Sequence, residues 1–255
     1  MRALPRLMVA PNGARRGKAD HPALPVTLPE IVETARACAA AGADGLHLHL
    51  RDAEGWHLLD AGAYREALAE LRGAVPGLAV QVTTEAAGRY EPPHQRAVAL
   101  GSGAEFVSVA LREMAAEEDA APAFYTACAE RGIAVQHILY DAGEFDLLER
   151  LLPPGLLAAP GLQLIFVLGR YSARQESDPA ELSSFLARLR TRESPADWAA
   201  CAFGRAETAC LLAAHRAGGK LRVGFENSLW HADGRLARDN AERVRAVLAA
   251  IAPPG

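Results

Sequence analysis

The chain has 255 residues, half of them hydrophobic, and a formal net charge of −4. This length suits one large domain or two small ones, and the apolar fraction is ample for a buried core. The mixed charges give no basis for nucleic acid or a membrane surface as a partner. The four cysteines are scattered with no CxxC pair and fall in helical or strand patterns, so we expect buried thiols of a cytoplasmic protein. No apolar run could span a bilayer, and the first residues lack the core of a signal peptide.

Short β-rich runs alternate with helical patterns along the chain. The predicted strands are residues 7–10, 44–50, 78–84, 105–109, 133–140, 162–168, 197–203 and 220–226. The predicted helices are residues 29–41, 62–74, 93–101, 117–131, 143–152, 178–190, 206–217 and 237–251. Eight strand–helix units predict an α/β protein with a single (β/α)8 TIM barrel over residues 1–255. An open doubly wound sheet is the alternative, although no GxGxxG motif follows the first strand.

The second predicted strand contains two histidines that alternate with leucines. At the side-chain period of a β-strand, His47 and His49 point to the same face. Neutral imidazoles on one face can be two ligands of one transition metal. In a barrel, sites lie at the carboxyl ends of the strands, which is where this pair falls. Histidines that are simply packed or hydrogen-bonded are the alternative interpretation.

The eighth predicted strand ends with a glutamate. Alternation places Arg222 and Glu226 on the face toward the barrel interior, while Phe225 and its apolar neighbours face the helices. This strand lies two positions from the histidine strand around a closed barrel, so Glu226 can complete a three-ligand catalytic zinc site. An Arg222–Glu226 ion pair that fixes the interior is the alternative.

Polar residues also end the other predicted strands. In the third strand, Gln81, Thr83 and Glu85 are expected to point inward. Further candidates are Asn12 after the first strand, Ser108 in the fourth, Gln136, His137, Tyr140 and Asp141 in the fifth, and Arg205 after the seventh. Arg205 lies near the phosphate site of many barrels, although a solvated arginine at a helix start fits equally well. The other histidines, at 21, 57, 94, 215 and 231, are expected at the surface.

Several motifs together resemble the β-keto acid cleavage enzyme family over essentially the whole chain. They are APNGA at 10–14, AGA at 41–43, HLHLRDAEG at 47–55, TT at 83–84, FVLG at 166–169, GR at 204–205, RVGFEN at 222–227, GRLA at 234–237 and NA at 240–241. The resemblance implies a zinc-dependent TIM-barrel enzyme that forms homo-oligomers (a dimer or a tetramer). Such an enzyme converts a β-keto acid and acetyl-CoA into acetoacetate and a new CoA thioester.

The resemblance also implies roles for individual residues. His47, His49 and Glu226 would bind zinc, and Arg222 would be the arginine that acts in the reaction. The substrate-binding positions would include Asn12, Thr83, Thr84, Ser108 and Arg205. A β-keto carboxylate can chelate zinc, and zinc and a cationic arginine suit the enolate that a retro-Claisen cleavage produces.

Two positions depart from the family pattern. The family usually has an aspartate where this chain has Asn227, which cannot accept a proton at neutral pH. It also usually has a glutamate in the fifth strand, where this chain has residues 136–139, QHIL. Glu85 brings a carboxylate to the third strand, where relatives tend to have glycine. We therefore predict that Glu85 or His137 is the base.

Two other functions fit the same residues. A metal-dependent hydrolase or aldolase could use the two histidines and the glutamate, and it would turn over without acetyl-CoA. A non-catalytic relative could bind zinc and a keto acid without turnover, which Asn227 favours. The sequence does not name the side chain of the keto acid.

Overall fold

The computed structural model describes residues 3–172 and 174–252, in which ten strands occur. They are β1 (Leu7–Val9), β2 (Gly45–Leu48), β3 (Leu50–Arg51), β4 (His57–Leu58), β5 (Ala79–Thr83), β6 (Phe106–Ala110), β7 (Ala134–Leu139), β8 (Leu162–Leu168), β9 (Ala196–Ala202) and β10 (Lys220–Val223). Eight of them close into a parallel barrel in the order β1-β10-β9-β8-β7-β6-β5-β2. This confirms the predicted TIM barrel and excludes the open doubly wound sheet.

Helices follow the barrel strands as the sequence predicts. They are α1 (Leu28–Ala40), α2 (Ala61–Ala74), α3 (Pro92–Gly101), α4 (Leu111–Met114), α5 (Ala121–Glu130), α6 (Glu144–Leu151), α7 (Pro154–Leu157), α8 (Leu182–Arg190), α9 (Glu207–Arg216) and α10 (Asn240–Ile251), with 3₁₀ turns at Ala115–Ala120 and Pro179–Glu181. Within residues 3–172 and 174–252, no helix is both long and apolar enough to cross a membrane.

Local capping explains where the first helix begins. The Thr27 hydroxyl accepts a hydrogen bond from the Glu30 amide, and the Glu30 carboxylate accepts one from the Thr27 amide. This reciprocal arrangement satisfies amides that the first helical turn leaves unpaired. The chain therefore enters α1 at the position that Thr27 and Pro29 predict.

The strands bury two different faces. Outward side chains such as Leu46, Leu48 and Val107 pack under the helices. Inward side chains such as Ile138 and Ile165 form a second apolar cluster inside the barrel. The interior is therefore a packed core, and chemistry is confined to its carboxyl end.

Two predicted strands of the site end two or more residues early in the structure. Barrel strand β2 ends at Leu48, and β3 pairs antiparallel with β4 in a hairpin above the barrel. Strand β10 ends at Val223 because Gly224 turns the chain with φ +143°. A Cβ added to Gly224 would lie 2.3 Å from the Ala10 carbonyl oxygen, so the turn requires glycine. Glu226 thus reaches the interior through a turn and not through strand alternation.

Candidate active site

A pocket opens at the carboxyl end of the barrel, and every barrel strand or the loop after it contributes to its wall. The lining residues are Asn12, Gly13, Ala14, Arg15, Arg16, His47, Thr83, Glu85, Ala110, Ile138, Tyr140, Val167, Arg170, Gln175, Phe203, Arg222 and Glu226. This is the end of the barrel where the sequence placed the candidate site.

The three predicted ligands converge at one side of this pocket. His47 Nε2 lies 3.0 Å from His49 Nε2, and Glu226 Oε2 lies 3.6 Å from the first nitrogen and 3.5 Å from the second. Both histidines are buried, and Glu226 Oε2 has no hydrogen-bond partner among the described residues. The three atoms could therefore hold one metal ion.

The charge states of these groups suit a metal. Burial lowers the pKa of His47 to about 4 and holds the pKa of His49 well below its usual value, so both rings are neutral at pH 7. Burial alone would raise the pKa of Glu226, but the charges of Arg222, Arg170 and Arg16 together with His47 hold this pKa below its usual value. Two neutral imidazoles and a carboxylate are the donor set of a catalytic divalent metal site.

The turn that carries Glu226 is held by hydrogen bonds from both sides. The Glu226 amide donates to the Ala10 carbonyl at 3.0 Å, and the Phe225 amide donates to Asn240 Oδ1 at 2.9 Å. The Gly224 amide donates to Glu207 Oε1 at 3.4 Å. Since β1 and the N-terminal ends of α9 and α10 all contribute, the carboxylate is fixed by elements far apart in the sequence.

Arg222 lies beside the ligand cluster and is buried. Its Nη2 donates to Glu226 Oε1 and to Cys201 Sγ, both at 3.2 Å. Its Nε and Nη1 have no hydrogen-bond partner in the described part of the chain. An anionic oxygen in the pocket would satisfy these donors.

Glu85 brings a second carboxylate to the pocket. Its Oε2 lies 4.0 Å from His49 Nε2, and its amide donates to Thr83 Oγ1 at 3.0 Å. Burial, followed by the negative charge of Glu226, raises the pKa of Glu85 to about 7. The Glu85 carboxylate therefore lies beside the ligand cluster but is not one of the three convergent ligands.

The remaining predicted substrate-binding residues divide into two groups. Asn12 and Thr83 line the pocket, and Asn12 Nδ2 donates to the His49 carbonyl at 3.2 Å. The Thr84 hydroxyl instead donates to the Ser108 carbonyl at 2.8 Å, and Ser108 pairs with Thr83 in the strand register but does not line the pocket. Thr84 and Ser108 are therefore not brought to the pocket wall.

Arg205 and Asn227 also lie off the pocket. The exposed Arg205 guanidinium stacks on Trp230, with its Cζ 3.9 Å from the ring centroid. Asn227 is buried, and no hydrogen bond joins its side chain to Arg222 in residues 3–172 and 174–252. The carboxylate that pairs with Arg222 in this protein is that of Glu226.

The structure corrects the prediction that His137 could be the base. Gln136 and Ile138 point into the barrel, so His137 points outward, where its ring lies 5.1 Å from that of Tyr125 on α5. Burial lowers the pKa of His137 to about 3. A buried side chain on the outer face of β7 cannot reach a substrate in the pocket.

The prediction that five histidines lie at the surface is wrong for three of them. His94 and His215 are exposed, whereas His21, His57 and His231 are buried. His57 lies closest to the ligand cluster, because the β3–β4 hairpin places its ring 5.1 Å from that of His49, tilted by 50°. Its Nε2 also bonds the Glu85 carbonyl at 2.9 Å. A hairpin of two-residue strands leaves too short a pattern to be recognised in the sequence.

Comparison with known proteins agrees with this arrangement. The family profile described as beta-keto acid cleavage enzyme matches residues 6–253. The 3-keto-5-aminohexanoate cleavage enzyme of Fusobacterium nucleatum is 27% identical over 249 residues, which cover 92% of this chain and 87% of that protein. The 3-oxoadipate:acetyl-CoA acetyltransferase of Cupriavidus necator is 26% identical over 265 residues, covering 95% and 87%.

Solved structures agree on the fold. A structure described as the ternary complex of ObcA with C4-CoA adduct and oxalate superposes with a TM-score of 0.65 at 17% identity. The match covers 89% of this chain, which spans 63% of the length of that structure. At this identity the likeness concerns the barrel alone, whereas the profile match covers nearly the whole sequence. The chain belongs to the β-keto acid cleavage enzyme family.

Proposed function

We propose that this protein is a zinc-dependent enzyme that converts a β-keto acid and acetyl-CoA into acetoacetate and a new CoA thioester. The observation that carries the proposal is the convergence of His47, His49 and Glu226 at the wall of a pocket that Arg222 also lines. Membership of the family and the names of the relatives support the reaction class.

The ligand set supports zinc as the metal. Zinc is commonly bound in catalytic sites by two histidines and one glutamate, which leave a position open for substrate. His47 Nε2, His49 Nε2 and Glu226 Oε2 would hold it. When bound, zinc would act as a Lewis acid toward the ketone and carboxylate oxygens of the keto acid.

The reaction needs one proton to be removed and later returned. Loss of a proton from C2 of the keto acid gives a carbanion, which takes the acetyl group from CoA and releases the thiolate. The thiolate then bonds to C3 as the C2–C3 bond breaks, giving the new thioester and the enolate of acetoacetate. Glu85 is the pocket carboxylate suited to hold the proton, and Arg222 is suited to stabilise the enolate.

The pocket wall supports an uncharged acyl chain in the substrate. Ala110, Ile138 and Val167 of strands β6 to β8, and Phe203 directly after β9, form an apolar part of the pocket wall. Strand β7 contributes Ile138 to this wall and no carboxylate. Because a charged group is costly to bury against apolar side chains, we propose that a short aliphatic chain lies there.

Two arginines at the pocket support binding of a CoA thioester, whose carrier bears negatively charged phosphates. Arg15 and Arg170 line the opening, and Arg170 lies with its Cζ 5.1 Å from the ring centroid of Phe203 at the edge of the apolar wall. Guanidinium groups bind phosphate oxygens in bidentate geometry. We propose that these two arginines meet the phosphates of CoA.

The test is a panel of β-keto acids incubated with the zinc-loaded protein and acetyl-CoA, with acetoacetate measured. We expect turnover with aliphatic 3-oxo acids and weaker turnover with 3-oxoadipate and 3-keto-5-aminohexanoate. Turnover that does not depend on acetyl-CoA would favour a hydrolase or aldolase. Bound zinc and keto acid without turnover over the whole panel would favour a non-catalytic relative.

A further inference from the structure

A chain of buried amide groups crosses the barrel interior and ends on a predicted metal ligand. Gln136 Nε2 on β7 donates to the Leu164 carbonyl at 3.3 Å. Gln81 Nε2 on β5 donates to Gln136 Oε1 at 2.9 Å, and Gln81 Oε1 lies 2.7 Å from His47 Nδ1. Gln81, Gln136 and His47 are each at most 2% exposed, so water does not compete for these bonds.

The Leu164 carbonyl at one end of this amide chain fixes which atoms donate and which accept along it. The Leu164 carbonyl can only accept a hydrogen bond, so the amide nitrogen of Gln136 must face it. The oxygen of Gln136 then faces Gln81, which must present its own nitrogen there and its oxygen to His47. An oxygen that faces His47 Nδ1 requires a hydrogen on that nitrogen, and a neutral ring then carries a lone pair on Nε2.

We propose that Gln81 and Gln136 are positioning residues that set the tautomer of His47 and so present its Nε2 lone pair to the metal. The proposal rests on the metal site of the proposed function and assigns it two supports from strands β5 and β7. Partners of this kind, which bind the second nitrogen of a ligating histidine, fix its tautomer and ring orientation.

His47 Nε2 and His49 Nε2 are close enough to share one hydrogen, so the amide chain decides which of the two nitrogens carries it. With the hydrogen of His47 on Nδ1, its Nε2 can only accept, so in the metal-free protein His49 Nε2 donates across the 3.0 Å gap. Metal binding then needs a tautomer change at His49 alone, whose Nδ1 has no partner among the described residues. Without the amide chain both rings could exchange roles, and the pair could satisfy itself in either direction.

The test measures zinc affinity by competition with a chromophoric chelator for four variants. Gln81→Met and Gln136→Met remove the polar groups at similar length, and we expect each to weaken zinc binding by about 10- to 100-fold. Gln81→Glu keeps an oxygen that faces His47 and should bind zinc at least as tightly as the wild type. Gln95→Met is the matched control, because Gln95 is an equally buried glutamine that does not belong to the amide chain.

A spectroscopic measurement keeps the test independent of folding defects. Long-range proton–nitrogen correlation spectra of the metal-free wild type should show the hydrogen of His47 on Nδ1, and Gln136→Met should populate the other tautomer. Wild-type His47 with its hydrogen on Nε2, or unchanged zinc affinity in folded Gln81→Met and Gln136→Met, would overturn the proposal. Zinc binding without acetoacetate formation would instead overturn the proposed function and leave this inference standing. A wild type that binds no zinc would overturn both.

Discussion

Arg222 Nη2 donates a 3.2 Å hydrogen bond to Oε1 of Glu226, four residues along the chain. The other oxygen of the same carboxylate, Oε2, faces the two histidines at 3.5 and 3.6 Å. One partly buried carboxylate thus joins the two histidines to the cation that would stabilise an enolate. Loss of this carboxylate should therefore affect metal binding and chemistry together.

The first prediction concerns Glu226 itself. Glu226→Gln keeps the size of the side chain but removes the negative charge that two neutral histidines cannot supply. We expect zinc affinity to fall by at least about 100-fold, since loss of a ligand should cost more than loss of a residue that only supports one. Chelator competition measures this, and an affinity equal to that of the wild type would exclude Glu226 from the metal site.

The second prediction separates Glu85 from the metal ligands. Glu85→Gln retains the shape of the side chain but cannot hold the substrate proton, so acetoacetate formation should fall by about 100-fold or more. Zinc affinity, measured on the same preparation, should stay within about threefold of the wild type, because the three convergent ligands are intact. A variant with full turnover would exclude Glu85 as the base, and one that loses zinc would make it a ligand.

The third prediction concerns removal of the metal. Chelation should abolish acetoacetate formation, and added zinc should restore it. Because zinc would bind only the folded site, zinc at about 1,000 times its Kd should stabilise the fold by about 4 kcal/mol. Thermal unfolding with and without zinc measures this shift. His49→Ala serves as the control, since it should lose both the activity and the zinc-dependent shift.

The predicted barrel and ligand cluster depended on patterns that are local in the sequence. The alternation around His47 and His49 placed both rings on one face, and the eight repeated units brought Glu226 to them. The turn at Gly224 was not predictable, because it depends on the close approach of Ala10 from the other end of the chain. The prediction of zinc and that of a single domain stay predictions.

The failure at His137 has a different physical cause. A strand of a parallel barrel is buried on both faces, so its apolar residues do not reveal which face points inward. Ile138 lies inside the barrel and Leu139 lies under the helices, yet both are aliphatic. The polar neighbours Gln136 and His137 were therefore equal candidates for the interior. The hairpin that buries His57 was likewise too short to leave a periodic pattern.

The last prediction concerns the ion pair behind the turn that carries Glu226. Arg243 and Glu207 are paired and both fully buried, and Glu207 also accepts the Gly224 amide at 3.4 Å. Arg243→Met leaves the carboxylate buried without its cation, so the free energy of unfolding should fall by about 3–5 kcal/mol.

Replacing both partners, with Arg243→Met and Glu207→Leu, should recover much of this loss because no unpaired charge is then buried. The control is Arg188→Met, whose partner Asp146 is 63% exposed and whose loss should cost less than about 1 kcal/mol. Urea unfolding measures all three. A double variant as unstable as Arg243→Met would show that the cost comes from lost packing, and that the unpaired carboxylate contributes little.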